Sequence, residues 1–221
     1  MLLQSLREQV FETAQRMVVD NLAYGSQGNV SALDRERGLV VITPTAIPYS
    51  KMTVDDTVVL DLEGNFVETH WRPTSETPMH LIFYQKRPEI GAVVHTHALH
   101  ATVFGVVHEP IPVLLTEAAT CLGGPVPVAP YRTPGTPELA QIVLETMGDG
   151  VAVILAQHGL LCAGADLTQA YDTTMAAETS ARLVIMTRSM GVAVHALLED
   201  EVAFMRNLYL TKYKPYPIRV D

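Results

Sequence analysis

The chain has 221 residues, of which 48% are hydrophobic and 18% are charged, and its formal net charge is −9. This length is sufficient for one well-packed domain and short for two. Nucleic acids and anionic membranes require a basic surface, so the negative charge predicts that neither is a partner. A small anionic substrate remains compatible with the composition, since a pocket can be locally positive within an acidic protein.

The sequence also indicates the compartment. No apolar run approaches the roughly 20 residues that span a bilayer. The first residues contain Glu8 and Glu12 and no small-residue cleavage site, so they do not resemble a signal peptide. Cys121 and Cys162 stand apart without a CxxC motif, and we expect them to be buried small hydrophobic residues. These features predict a cytoplasmic protein.

The first half of the chain reads as one helix followed by strands. Apolar residues recur at helical spacing over residues 3–22, which predicts an amphipathic helix. After a turn-rich stretch at residues 24–29, strands are predicted at residues 30–33, 39–43, 58–62 and 66–68. A helix is then expected to begin near Glu76, with Thr74 or Ser75 as its N-cap. Pro78 fits its first turn, where a missing N–H costs nothing.

The second half mixes strands and helices. Strands are predicted at residues 92–95, 151–156 and 160–162, and helices at residues 98–107, 168–190 and 199–210. A further helix opens at Thr136-Pro137, where a cap and a proline stand in the expected order. There is no repeat, no low-complexity linker and no break in composition. We therefore predict a single domain over residues 1–221, of the α/β (α+β) class.

The segment Val93-Val94-His95-Thr96-His97 is the strongest local signal of chemistry. Alternate residues of a strand point to the same face, so His95 and His97 project together and can share one metal ion. Imidazole is the common protein ligand of Zn²⁺ and similar ions. An HxH pair alone is weak evidence, because two polar residues on a half-exposed strand look the same. Its place at the end of a strand, where α/β sites concentrate, favours a site.

A second hydrophobic strand ends in Gln157-His158-Gly159. On its own, His158 would more often be a structural histidine. Together with the HxH pair it completes a three-histidine set, which is the pattern of a catalytic metal with one open position. A cupin-type site also uses HxH, but it needs a glutamate a few residues later, where this chain has Ala101. The cupin interpretation therefore fails.

Three turn-rich clusters offer hydroxyl groups and backbone N–H groups, at residues 25–29, at residues 43–46 and at Thr74-Ser75. Such clusters bind phosphate without many Lys or Arg residues. Ordinary turn chemistry explains each of them equally well, and none is a Walker or Rossmann fingerprint. Glu76 beside the third cluster is also unspecific on its own, because acids are common in first helical turns.

Taken together, these features resemble the class II aldolase/adducin family, and especially its fuculose-phosphate aldolases. The resemblance covers essentially the whole chain. It depends on six segments in order: GNVSA at 28–32, ITPTAIPYSKM at 42–52, SETPMH at 75–80, AVVHTHALHAT at 92–102, APYRTPGT at 129–136 and QHGLLC at 157–162. It implies a central, largely antiparallel sheet flanked by helices, and a homotetramer with active sites between subunits.

The resemblance also implies roles for individual residues. His95, His97 and His158 match the metal-binding histidines, with one Zn²⁺ per subunit as the usual ion and Mn²⁺ or Co²⁺ as alternatives. Glu76 matches a glutamate that ligates the resting metal and acts as acid and base. Tyr216, in a C-terminal tail (residues 212–221) expected to be mobile, matches a tyrosine that helps close the site. The residues that match the phosphate cradle are Gly28, Asn29, Thr45, Ala46, Thr74 and Ser75.

The implied activity is cleavage of a ketose 1-phosphate to dihydroxyacetone phosphate and an aldehyde, through a metal-stabilised enediolate. The chain departs from the family pattern at three positions. Ala46 replaces a common glycine, Thr116 stands where an aldehyde-side tyrosine is usual, and Pro134 replaces an aromatic residue. The last two predict a more apolar aldehyde pocket, which would suit a 5-deoxy or 5-methylthio pentulose 1-phosphate better than L-fuculose 1-phosphate.

Other members of the family remain as alternatives. An L-ribulose-5-phosphate 4-epimerase carries aspartate where this chain has Glu76, and a second catalytic aspartate where it has Thr120. Both positions favour an aldolase. A sugar-acid-phosphate decarboxylase is a further option. A different class is a non-catalytic, adducin-like interaction module, but such a module has no use for three metal-binding histidines.

The remaining histidines receive no catalytic role. His100 lies beyond its strand, and His80, one helical turn after Glu76, is expected to pack in the interior or to support the site indirectly. The others are expected at the surface or in loops: His70, His108 and His195.

Overall fold

A computed structural model describes residues 1–212 of the chain. Its strands are β1 (Asn29–Asp34), β2 (Leu39–Ile42), β3 (Val58–Asp61), β4 (Phe66–Glu68), β5 (Ala92–Thr96), β6 (Val128–Ala129), β7 (Ala152–Leu155) and β8 (Gly159–Gly164). Its α-helices are α1 (Gln4–Val19), α2 (Thr77–Lys86), α3 (Leu99–Val107), α4 (Thr116–Leu122), α5 (Pro137–Met147), α6 (Leu167–Ser189) and α7 (Glu199–Lys212).

The strands form one sheet in the order β4-β3-β2-β1-β5-β8-β7-β6. Every neighbouring pair is antiparallel except β6 and β7, which are parallel. The prediction of a central, largely antiparallel sheet flanked by helices is therefore confirmed. Strand β5 lies in the middle, with Asn29 of β1 opposite His95 on one side and Leu160 of β8 opposite Thr96 on the other.

Helices cover both faces of the sheet. Helices α1, α3 and α6 pack on one face, and α2 and α5 pack on the other. Because the central strands are buried on both faces, they read as continuous apolar runs rather than as alternating ones. In β5, Val94 faces the first layer and Val93 faces the second. His95 is two residues beyond Val93, so it points to the side of α2.

Two elements lie where the sequence predicted none. Helix α4 and strand β6 both fall between residues 108 and 135. Helix α4 has only seven residues, and its buried side chains are Ala118, Ala119 and Leu122. So short a segment shows too few turns to display a helical period. Strand β6 has two residues and gives no alternation at all.

The C-terminal predictions remain untested. Of the predicted tail, the structure describes only Lys212, the last residue of α7, and Tyr216 lies outside the described residues. The assignment of residues 1–221 to one domain likewise stays a prediction. Within residues 1–212, no helix combines the length and the apolar character needed to cross a bilayer.

Candidate active site

The structure brings the three predicted metal ligands together at one end of the central strands. His95 is the fourth residue of β5, His97 follows that strand directly, and His158 lies in the turn between β7 and β8. The centroids of their imidazole rings are 4.8–5.2 Å apart. One ring nitrogen from each residue lies within 4.8 Å of the others, so the three histidines can hold one metal ion.

The turn between β7 and β8 approaches β5 so closely that only glycine fits beside the histidines. A Cβ atom on Gly159 would lie 2.3 Å from the carbonyl oxygen of Thr96, and 3.2 Å from both Cε1 of His95 and Cδ2 of His97. Gln157, at the start of the turn, has a φ of 51°. A non-glycine residue in this left-handed region stores backbone strain, as residues beside functional sites often do.

Buried polar atoms at the histidine cluster fit a metal ion. His95 Nδ1 donates to the carbonyl oxygen of Leu160 at 3.0 Å, which leaves the lone pair of Nε2 for another partner. Nε2 lies 3.2 Å from Glu76 Oε2, but the two atoms do not have hydrogen-bond geometry. Within residues 1–212, His95 Nε2, Glu76 Oε1 and His158 Nδ1 are buried without a hydrogen-bond partner. Buried polar groups are rarely left unpaired, and imidazole with carboxylate is a suitable donor set for Zn²⁺.

The protonation states also suit metal binding. Burial and the repulsion of neighbouring His95 lower the pKa of His97 and of His158 to about 4, so both rings are neutral near neutral pH. Burial raises the pKa of Glu76, but attraction by His95, whose own pKa Glu76 raises, outweighs it. The net result is a pKa well below the usual range. The Glu76 carboxylate is therefore ionised beside the three histidines. A metal ion on His95 Nε2 would take the place of the proton that Glu76 favours there.

The start of α2 differs from the prediction in a way that matters for the site. Thr74 or Ser75 was expected as the N-cap, but Glu76 occupies that position, and its side chain makes no capping hydrogen bond. The carboxylate turns inward instead. Its Oε2 accepts a 2.9 Å hydrogen bond from Asn29 Nδ2, and its Oε1 lies 3.6 Å from His158 Nε2. The start of α2 thus places a buried carboxylate beside the histidine cluster.

The three turn-rich clusters meet beside Glu76. The first and third are joined by a 3.0 Å hydrogen bond from Asn29 Nδ2 to Thr74 Oγ1. The second and third are joined by a backbone hydrogen bond from Thr74 to Thr43 at 3.1 Å, and Thr45 donates to Arg72, just before the third cluster, at 3.0 Å. The predicted phosphate-binding residues therefore lie on three neighbouring segments, adjacent to the predicted metal ligands.

Tyr49, three residues after the second cluster, binds the backbone of the first cluster, and sequence reasoning did not identify it. Its backbone N–H donates to Gly25 at 2.9 Å, and its buried hydroxyl donates to the carbonyl oxygen of Gly28 at 2.7 Å. Gly28 has a φ of 71°, and a Cβ there would lie 2.7 Å from the carbonyl oxygen of His95. No local pattern marks Tyr49 in the sequence, because its partners are defined only by the fold.

The clusters offer unused backbone donors. Within residues 1–212, the N–H groups of Gly28, Ala46 and Ser75 donate to no acceptor. Ala46 has a φ of 60°, the left-handed conformation that glycine adopts most easily. The alanine therefore keeps the backbone conformation of a glycine, at some cost in strain. Backbone N–H groups without a protein acceptor, on neighbouring turns, are the kind of donor that binds anions.

Three other positions considered in the sequence make contacts outside the histidine cluster. Thr116 begins α4, and its hydroxyl donates to Glu117 Oε2 at 3.2 Å. His100 Nδ1 is hydrogen-bonded to Glu178 Oε1 at 2.6 Å. His80 is fully buried in α2, so the expectation of an interior position is confirmed.

Comparison with known proteins identifies the family. Residues 8–185 match the family described as "Class II Aldolase and Adducin N-terminal domain". The chain belongs to the class II aldolase and adducin family. That match spans most of the chain and all of the predicted site residues except Tyr216. The earlier assignment from sequence motifs is thereby confirmed.

Individual relatives in the family include an aldolase and an epimerase. The chain is 37% identical to a 5-deoxy-D-ribulose 1-phosphate aldolase of Bacillus thuringiensis serovar kurstaki, over 91% of this chain and 94% of the relative. It is 35% identical to the L-ribulose-5-phosphate 4-epimerase UlaF of Salmonella paratyphi B, over 96% and 97%. A solved structure of an L-fuculose 1-phosphate aldolase superposes with a TM-score of 0.89 at 34% identity, covering 93% of this chain and 96% of that one. The chain is accordingly a class II aldolase, a carbon–carbon lyase, and class II aldolases are metal-dependent.

Proposed function

We propose that this aldolase cleaves a 5-deoxypentulose 1-phosphate, or a closely similar ketose 1-phosphate, to dihydroxyacetone phosphate and an aldehyde. The observation that carries the proposal is the position of the ionised Glu76 carboxylate, between the three-histidine cluster and a set of unused backbone N–H groups. The 37% identity to a 5-deoxy-D-ribulose 1-phosphate aldolase supports this choice of substrate.

In this proposal the phosphate binds to the three joined clusters. The free N–H groups of Gly28, Ala46 and Ser75 donate to its oxygens, and the Thr74 hydroxyl adds a side-chain donor. Thr45 and the Asn29 side chain hold the clusters together. The substrate is thereby anchored at one end, so that its carbonyl carbon and C3 lie toward the histidines.

His95, His97 and His158 would hold one divalent metal, with Zn²⁺ as the first candidate and Mn²⁺ or Co²⁺ as alternatives. When bound, the metal supplies Lewis-acid stabilisation of the negative charge that develops as the C3–C4 bond breaks. Glu76 has two distinct oxygens: Oε2 is held by Asn29, while Oε1 has no hydrogen-bond partner within residues 1–212. We assign to Oε1 the transfer of the proton at C3.

An epimerase of the same family is the second candidate, because its identity of 35% is close to that of the aldolase. The position that would carry the second catalytic aspartate is Thr120. Its hydroxyl donates to the carbonyl oxygen of Glu117 at 2.7 Å within α4, so it is committed to the helix and cannot accept a proton as a carboxylate does. This favours cleavage over epimerisation. A sugar-acid-phosphate decarboxylase has no comparable support.

We also propose a homotetramer with active sites between subunits. Helix α3 begins two residues after His97 and exposes an apolar stripe, with Leu99 65%, Val106 57% and Val107 50% exposed. These residues recur at helical spacing, so they form one face, and an exposed apolar face of this kind is typical of a contact between proteins. A second subunit on α3 would lie beside the histidine cluster. The proposed role of Tyr216 in closing the site falls outside the described residues.

The decisive experiment is a substrate panel with the metal-loaded enzyme. Release of dihydroxyacetone phosphate is followed with 5-deoxy-D-ribulose 1-phosphate, a 5-methylthio pentulose 1-phosphate and L-fuculose 1-phosphate, with L-ribulose 5-phosphate as the control for epimerisation. We expect the first two to be cleaved with the higher kcat/KM. Epimerisation of L-ribulose 5-phosphate without release of dihydroxyacetone phosphate from any ketose 1-phosphate would overturn the proposal.

A further inference from the structure

A buried chain of hydrogen bonds runs from the interior of α2 into the active site. The hydroxyl groups of Tyr84 and Ser31 are 2.6 Å apart, and Ser31 Oγ is 2.7 Å from His80 Nδ1. His80 Nε2 is 2.5 Å from Asn29 Oδ1. The other end of the Asn29 amide donates to Glu76 Oε2. All five side chains are buried, so water does not compete for these hydrogen bonds.

Chemistry fixes the direction of every hydrogen bond in this chain. Asn29 Oδ1 can only accept, so His80 Nε2 must donate to it. Burial and the nearby charge of His95 lower the pKa of His80 to about 3, so the ring is neutral and its Nδ1 accepts from Ser31. Ser31 has a single hydroxyl proton, which it gives to His80, so it accepts from Tyr84. The protons therefore all point from Tyr84 toward Asn29.

The donors around Thr74 Oγ1 likewise determine whether the Thr74 hydroxyl accepts or donates. Thr74 Oγ1 accepts from Asn29 Nδ2 at 3.0 Å and from the backbone N–H of Glu76 at 3.3 Å. Both of its acceptor positions are then used. Its own proton has no acceptor among the hydrogen bonds within residues 1–212. Thr74 is thereby left as a donor, which is the role that binding of a phosphate oxygen requires.

We propose that His80 is a positioning residue for the active site, which holds the Asn29 amide in the one orientation that serves both Glu76 and Thr74. If the amide turned over, Asn29 Oδ1 would face the carboxylate of Glu76, and Glu76 Oε2 would lose its donor. Thr74 would then give its proton to Asn29 instead of to the phosphate. Ser31, held by Tyr84, donates to His80 Nδ1 and so fixes the ring proton on Nε2.

Paired substitutions at His80 test the inference. His80→Leu introduces an apolar side chain of similar size, which cannot donate a hydrogen bond to Asn29. We expect kcat to fall on the order of 10–100-fold and KM for the ketose phosphate to rise. His80→Gln places an amide N–H near the position of Nε2, and we expect it to recover most of the loss. Ser31→Ala should resemble His80→Leu, whereas Tyr84→Phe should lower kcat less. If His80→Gln were as impaired as His80→Leu, or if both had wild-type kcat and KM, the positioning role would be wrong.

A second measurement does not depend on turnover, and it therefore separates this inference from the proposed function on which its kinetic test rests. Nitrogen NMR of protein with ¹⁵N-labelled histidine distinguishes the two neutral tautomers, and the His80 signals are assigned by their loss in His80→Gln. We expect the Nε2–H tautomer in the wild type and a change of tautomer in Ser31→Ala. An Nδ1–H tautomer or an imidazolium at His80 in the wild type would overturn the inference. An inactive wild type with the Nε2–H tautomer would count against the substrate and not against the hydrogen-bond chain.

Discussion

Substitution of Gly159 by alanine tests the geometry of the histidine cluster without removing any ligand. The added Cβ would lie 2.3 Å from the carbonyl oxygen of Thr96, whereas ordinary van der Waals contact begins near 3.4 Å. The turn before β8 and the end of β5 must therefore separate by roughly 1 Å, and overpacking of this kind costs about 1–3 kcal/mol. The same Cβ would press on the rings of His95 and His97 at 3.2 Å.

This movement should be visible in two measurements. We expect the urea midpoint of the metal-free protein to fall, because the strain is present without any ion. We also expect the affinity for Zn²⁺, measured by calorimetric competition with a chelator, to fall by about tenfold or more. The reason is that His158 moves with the turn, while His95 and His97 stay on β5. Displacements of about 1 Å at reacting groups typically cost on the order of 10²-fold, so turnover should fall further.

Gly124→Ala is the matched control. A Cβ on Gly124 meets no atom within 4 Å, and its φ is not in the left-handed range, so the same chemical change is made in open space. We expect neither the urea midpoint nor the affinity for Zn²⁺ to change in this variant. If Gly159→Ala bound Zn²⁺ and unfolded as Gly124→Ala does, the close approach of the turn to β5 would be refuted.

Four further predictions follow from the site. Glu76→Gln should retain the metal but slow exchange of the C3 proton of dihydroxyacetone phosphate in D₂O by on the order of 10²–10⁴-fold, and exchange at the wild-type rate would contradict its role. His95→Ala should lose most of the bound metal in elemental analysis, since it removes a buried ligand. Ala46→Gly should relieve a left-handed strain of about 1–2 kcal/mol, partly offset by about 0.5–1 kcal/mol of unfolded-chain entropy. Its melting temperature should therefore stay the same or rise, with KM unchanged. Folding lowers the pKa of His80 from 6.5 to about 3, so between these pH values His80 is protonated in the unfolded chain and neutral in the native protein. Stability of the metal-free protein should decrease as the pH falls through this window, and less steeply in His80→Gln when measured by urea unfolding across pH.

The histidine cluster was predictable from sequence because strand geometry is strictly periodic. His95 and His97 must share a side of an extended segment, and His158 was marked by its place at the end of a second hydrophobic strand, an assignment that the family motifs supported. The start of α2 was misassigned, because a local capping rule ranks Thr74 and Ser75 above Glu76. That rule does not include the hydrogen bond from Asn29, which holds the Glu76 carboxylate in the interior. Glu76 is 47 residues from Asn29 in the sequence, and no local rule reports such a contact.

The supporting groups were not predictable for the same reason. His80 was expected to be interior, but its partners Ser31 and Asn29 lie 49 and 51 residues away in the sequence. Ser31 and Asn29 lie on β1 and His80 lies on α2, so they meet only because α2 packs on the face of the sheet to which these β1 side chains point. Helix α4 and strand β6 are too short to display a period. What sequence patterns miss here is therefore of two kinds: elements of a few residues, and contacts between residues far apart in the chain.

The central place of β5 has a consequence for how the protein is made. Strands β1 to β4 each pair with their neighbours in sequence, so this half of the sheet can form while the rest of the chain is still being synthesised. His95 then waits for β8, since Leu160, which fixes the proton on its ring, is 65 residues further along the chain. Pairing of such distant segments is slow, because a long loop must close before any contact forms. The residues that form β1 to β4 are therefore complete before the metal site can be, because His158 and Leu160 are made later and the three histidines meet only when β8 lies beside β5.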